Sequence, residues 1–333
     1  MTQAAERSPA PRTPHPSKER NPPPTPSFFF NGHVPRRRRA VIAVSALVGF
    51  ALTVVWSAHF VDKTIGGTVA DGLLGHPAAE TPIAGVTAGL VFALVTGIAG
   101  TFTACNVAVF GALAPLTGRS STARGRMTAA LRPLGVLTAG AVAVSAVYGV
   151  VVALVGSGMP QFQENVTTGG ALVLSGRLIQ AMVVYGIIGL IMIHLGLVAL
   201  GYARDPLARL TERFPDAPMV FMGALIGGFL IGRPFPLFRH LFRDAAESHN
   251  VLYGAFAFAL QTVGNLLIMG VLFLVVVGVF GKRLHGWLTA RPTRSSSLMA
   301  AGFLSAGVFM VLYWNVRLLS RVDLIWYPVA PWV

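Results

Sequence analysis

The chain is poor in the residues on which soluble enzymes are built. It has one cysteine, Cys105, in 333 residues, and only 12 Asp and Glu together. One thiol excludes an intramolecular disulfide and any cysteine-rich metal site. The long apolar stretches hold almost no carboxylate, which excludes a hydrolase built on paired acids and a cation pump built on carboxylates. There is no phosphate-cradling GxxxxGK[ST], no HExxH and no Gly-x-Ser-x-Gly. The sequence therefore points to no cofactor, no metal and no soluble-type catalysis. Charged residues are 11% of the chain, against 54% hydrophobic, and the mean hydropathy is +0.66. That composition is one of integral membrane proteins. The net charge of +14 does not indicate nucleic acid, because the Lys and Arg sit in short segments between apolar spans. The partner they imply is a lipid bilayer.

The first 35 residues carry nine prolines, with Pro22-Pro23-Pro24 at the centre, and no apolar core of a signal peptide. Residues 1–39 read as a disordered, basic, proline-rich tail. Within it, Phe28-Phe29-Phe30 suits the membrane surface. Four arginines, Arg36 to Arg39, stand directly before Ala40, the start of the first apolar span, and fix the N-terminus in the cytoplasm.

Seven spans are predicted: about Ala40–Phe60, Ile83–Leu116, Leu134–Gly156, Leu178–Gly201, a short one from Pro218 to Arg233, Val251–Gly281 and Leu298–Leu319. Alternate connections are basic, through Arg119, Arg124, Arg126 and Arg132, then Arg204, Arg209 and Arg213, then Lys282, Arg283, Arg291 and Arg294. This sets a multi-pass protein of the plasma membrane with its C-terminus outside the cytoplasm. Trp326, Tyr327 and Trp332 suit an outer aromatic belt.

Two spans are irregular. Ile83 to Leu116 runs 34 residues without a charge, where about 20 suffice in a helix. It contains Thr103, Cys105, Asn106 and then Pro115. The span from Pro218 enters Gly232-Arg233-Pro234-Phe235-Pro236, and its two prolines forbid a continuous helix. Each irregular span opens a group of three. Three is odd, so the groups cross in opposite senses. The expected fold is all-α, with one N-terminal span and an inverted repeat of 3+3 helices whose first helices are broken. The domains are 1–39, the first span and outer loop 40–82, repeat I 83–217, repeat II 218–320 and a tail 321–333.

The run Ala88-Gly89-Leu90 through Thr103-Ala104-Cys105 to Pro115, the Gly232-Arg233-Pro234-Phe235-Pro236 motif and the span pattern resemble the CcdA/DsbD-type membrane family of cytochrome c biogenesis. The resemblance covers Ile83 to Leu319. It implies thiol redox transfer, with Cys105 as the reactive thiol and a thioredoxin-like partner. That family uses a cysteine in each repeat, and here Arg233-Pro234-Phe235-Pro236 holds the second place. Exchange proceeds by thiolate attack on a disulfide, so one thiol forms only a mixed disulfide with a partner. Alternative readings are a secondary transporter of a small solute or ion, and a structural subunit of a membrane complex.

The expected central cavity is lined by Thr103, Asn106, Pro115, Gly232, Arg233, Pro234 and Pro236. His194 on span four, and Gln261 and Asn265 one turn apart on span six, point toward it. Each has a plainer role: Asn, Gln and Thr pack helices together, a lone His can bond between helices, and Arg233 can reach the headgroups.

Overall fold

The computed structural model describes residues 26–57, 59–101, 122–163, 167–168, 171–172, 174–233 and 235–332. Five helices among these are long and apolar enough to cross a bilayer. They are α1 (Arg38–Val55), α4 (Ala123–Val155), α5 (Gly176–Ala199), α9 (Val251–Thr289) and α10 (Thr293–Val311). The last continues through a π-helical turn, Leu312–Val316, into α11 (Arg317–Arg321). The chain thus has the make-up of an all-α, multi-pass membrane protein.

Shorter elements join them. A π-helical segment, His59–Gly67, leads into α2 (Thr68–Leu74), and α3 (Gly85–Ala99) follows. α6 (Ala208–Arg213) precedes α7 (Ala217–Gly232) and α8 (Pro236–Glu247). α3 has 15 residues and rises about 22 Å, short of a hydrocarbon layer of about 30 Å. α7 and α8 meet at 85° and together would make a sixth, broken span.

Local chemistry sets the boundaries. Thr122, Ser175 and Asn250 each accept a backbone N–H in the first turn of α4, α5 and α9, supplying an acceptor for a donor that has none within the helix. α4 stops at Gly156, whose φ of 61° suits glycine. α8 repeats apolar residues in pairs every fourth position: Leu237 and Phe238, Leu241 and Phe242, Ala245 and Ala246. All six are buried, while Arg239, Arg243 and Asp244 take the other face.

Close contacts fix the helix directions. α9 is antiparallel to α4: Gly254 near its start meets Gly149 near the end of α4, and Gly278 meets Met127 at the other extreme. α3 is parallel to α9, with Gly89 at Tyr253 and Gly97 at Gln261. α7 is parallel to α4, with Gly223 at Leu137 and Gly227 at Ala141. α5 is antiparallel to α10, with Gly189 at Gly307 and Gly196 at Leu304. α1 is parallel to α10, since Ser305 donates to the Ser45 carbonyl and Arg317 to that of Thr53. Thus α1, α4, α7 and α10 run one way, and α3, α5 and α9 the other.

Two apolar clusters fill the bundle. One joins α5, α7 and α10. The other lies under α8, where Phe238, Phe242 and Tyr148 surround Phe258. The first includes a correction to the sequence reading. Phe29 and Phe30 do not rest on the membrane surface; they are 1% and 3% exposed. Phe29 meets Phe303 edge-on at 5.9 Å, and Phe30 packs beside Gly201. Asn31 secures the turn: its Nδ2 donates to the Pro292 carbonyl at 2.8 Å, and Ser296 donates to its Oδ1 at 2.6 Å. At the other end of α1 the last carbonyls are served by the C-terminal segment. Arg317 donates to Thr53 and Trp56 at 2.6 and 3.0 Å, Ala330 to Val54 at 3.0 Å and Trp332 to Val55 at 3.3 Å.

Candidate functional site

α3 and α7 both end inside the bundle, and their ends meet. The last carbonyls of a helix have no partner within it and carry a partial negative charge. Here a cation stands between two such ends. Arg233, the residue after α7, donates from Nη2 to the Gly100 carbonyl at the end of α3, at 2.9 Å. Its guanidinium lies over the Phe235 ring, 5.0 Å from the centroid, and the residue is 7% exposed. Among the described residues this is the one hydrogen bond of that guanidinium, and no carboxylate lies within ion-pair distance. Asp62, in the π-helical segment above, feels its charge. Burial raises the Asp62 carboxyl above the ordinary carboxylate range, and Arg233 acts in the opposite sense. Gly66 brings that segment down onto the site: a methyl group there would sit 3.0 Å from the Phe235 ring and 3.4 Å from the Ala99 carbonyl.

The other carbonyls at the end of α7 are bound by side chains from outside it. Tyr185 of α5 donates to Phe229 at 3.0 Å. Gln180 of α5 donates to Ile231 at 2.7 Å, with Gln161 at 3.3 Å and Tyr148 of α4 at 3.4 Å. Gln180 also donates to the Tyr148 hydroxyl at 3.2 Å. These four residues hold open a broken end that would otherwise bury bare carbonyls. The sequence reading missed them. The available signal is Gln180, an isolated amide in an apolar span.

One turn down α3 lies a second polar layer. The Thr96 hydroxyl meets Gln261 Oε1 at 2.6 Å, and Thr262 donates to Ser145 Oγ at 2.6 Å. Gln261 is fully buried, yet among the described residues its Nε2 has no hydrogen-bond partner. A buried amide without a partner is costly.

Of the predicted cavity residues, Gly232, Arg233, Gln261 and Asn265 are buried around the ends of α3 and α7. Pro236 opens α8 from an exposed position, and His194 lies on the exposed side of α5, apart from Arg233. Thr103, Cys105, Asn106, Pro115 and Pro234 lie outside the described residues. Among the described residues no three His, Cys, Asp or Glu cluster as metal ligands. No family model, no curated protein and no solved structure matches this chain.

Proposed function

We propose that the protein is a membrane carrier for a small anionic solute, with its site between the ends of α3 and α7. The observation that carries this reading is Arg233. A charged side chain buried among membrane helices is costly, and such residues mark solute pathways. Arg233 is buried, holds a single hydrogen bond to Gly100 and has no carboxylate at contact distance among the described residues. Its remaining N–H groups suit an anion, and the Gln261 amide, without a partner among the described residues, would bind a polar part of the same solute.

The architecture in this reading is seven crossings with an inverted 3+3 repeat, N-terminus in the cytoplasm. Two observations support it. The helix directions alternate in chain order through α1, α3, α4, α5, α7, α9 and α10. The helices also exchange partners: α3 docks on α9 through Gly97, and α7 docks on α4 through Gly227. Each is the first helix of one triplet on the middle helix of the other, as a two-fold relation requires. Thiol transfer, the other reading, needs Cys105, and the chain has no second thiol.

The test is uptake of isotope-labelled chloride, phosphate, acetate and lactate into liposomes containing the purified protein. Saturable uptake of at least one anion is expected, lost in Arg233→Ala and partly kept in Arg233→Lys. Uptake of none, or uptake indifferent to Arg233→Ala, overturns the proposal.

A further inference from the structure

At the opposite end of the bundle from Arg233 lies a groove of about 520 Å³ between the start of α1 and the connection from α9 to α10. Its mouth carries Arg37, Arg291 and Arg294. Arg294 is held in place: Nη1 donates to the Trp287 carbonyl at 2.8 Å, and its guanidinium lies over the Trp287 ring at 4.6 Å. Arg37 and Arg291 are exposed. Among the described residues the lining holds no Asp or Glu, so none of them balances the three charges.

Below the mouth the wall turns apolar, through Val41 and Val44 of α1 and Leu298 and Ala301 of α10. Val44 is 61% exposed, and no described element covers this side of α1. A ligand matching the groove has a negative head and an apolar tail running down the helices. We propose that the groove seats one anionic phospholipid of the leaflet that faces Arg36 to Arg39. Its phosphodiester sits among Arg37, Arg291 and Arg294, and an acyl chain lies along Val44 and Leu298. Basic pockets between membrane helices take acidic headgroups in this way. The lipid wedges α1 against α10, the helix on which it packs. This inference is independent of the carrier proposal.

Trp287 reports on the site. The other four tryptophans, Trp56, Trp314, Trp326 and Trp332, stand near the far ends of their helices or in the C-terminal segment. The protein is reconstituted in vesicles containing equal fractions of phosphatidylglycerol and phosphatidylcholine, with one or the other brominated on its acyl chains. The Trp287 signal is the difference between the protein and its Trp287→Phe variant. Quenching by the brominated anionic lipid is expected to exceed that by the brominated zwitterionic one, with a local enrichment on the order of tenfold. Arg37→Gln with Arg291→Gln should erase the preference, and Val44→Phe should lower quenching by either lipid. Equal quenching of the unaltered protein by both lipids overturns the proposal. So does a preference that survives the double substitution, or quenching indifferent to Val44→Phe.

Discussion

Gly97 of α3 rests directly on the backbone of α9. A methyl group in place of its hydrogen would overlap the Gln261 carbonyl oxygen and press on the Asn265 nitrogen. Gly264 returns the contact from α9, lying against the Leu94 carbonyl and the Ile98 nitrogen. Lipid tails are as apolar as leucine, so helices in a bilayer gain from close backbone approach instead. This contact holds the end of α3 at the depth where Gly100 reaches Arg233.

Gly97→Ala is therefore expected to cost about 1–3 kcal/mol, the range for overpacking, read from unfolding of the detergent-solubilised protein. Gly72→Ala is the control, because a methyl group there meets nothing within 4 Å. Equal stability of the two variants would contradict the close approach.

Asp62 gives a pH signature. Its carboxyl is raised by burial more than Arg233 lowers it. A carboxyl raised in the folded state stabilises most below its unfolded value, and that contribution is lost as pH rises through the folded value. At neutral pH the buried carboxylate is a liability. Asp62→Asn should raise Tm at pH 7, and the gap should close as pH falls below the ordinary carboxylate range. A gap constant with pH would refute this.

Ser145 and Thr262 share a hydrogen bond of 2.6 Å between α4 and α9. A double-mutant cycle with Ser145→Ala and Thr262→Val should give a coupling of about 0.6 kcal/mol, typical for such bonds in a bilayer. A coupling of zero would mean the two hydroxyls act independently.

Phe29 tests the corrected position of the N-terminal segment. At 1% exposure against Phe303, Phe29→Ala should cost about 3 kcal/mol, the low end for a core Phe. A side chain merely lying on the membrane would cost far less, so the unfolding midpoint of this variant decides between the two positions.

The long helices were legible because a bilayer demands uniform apolar runs, and α1, α5 and α10 follow theirs closely. Helix ends were not legible from hydropathy, which reports lipid contact and not backbone conformation. The apolar run from Ile83 continues to Leu116, yet α3 stops at Ala99. α4 begins at Ala123, before its apolar stretch and in spite of Pro133. There Arg126 reads as a loop charge, but it is buried and donates to the carbonyls of Val277 and Gly278 at 3.2 and 2.7 Å. Its partners lie 151 and 152 residues along the chain, out of reach of any local pattern.

The site was half legible. Arg233 and Gly232 stood out because charge and glycine interrupt an apolar run beside prolines. Gln261 and Asn265 were visible as amides on one face of a span. Of the residues that bind the α7 carbonyls only Gln180 leaves a local signal, whereas Gln161, Tyr148 and Tyr185 leave none, because their role is to bind carbonyls of a helix elsewhere in the sequence. The break in α7 announces itself locally, while its support comes from α4, α5 and the turn after α4.

The fastening of α1 has a consequence for how the chain is made. The carbonyl of Thr53 finds its donor in Arg317, 264 residues later. At about 5–20 residues per second the interval is on the order of tens of seconds. Through all of it the C-terminal end of α1 lacks these donors, while the helices between are made. The end of α1 is thus closed only by donors that lie far later in the chain, from Arg317 to Trp332.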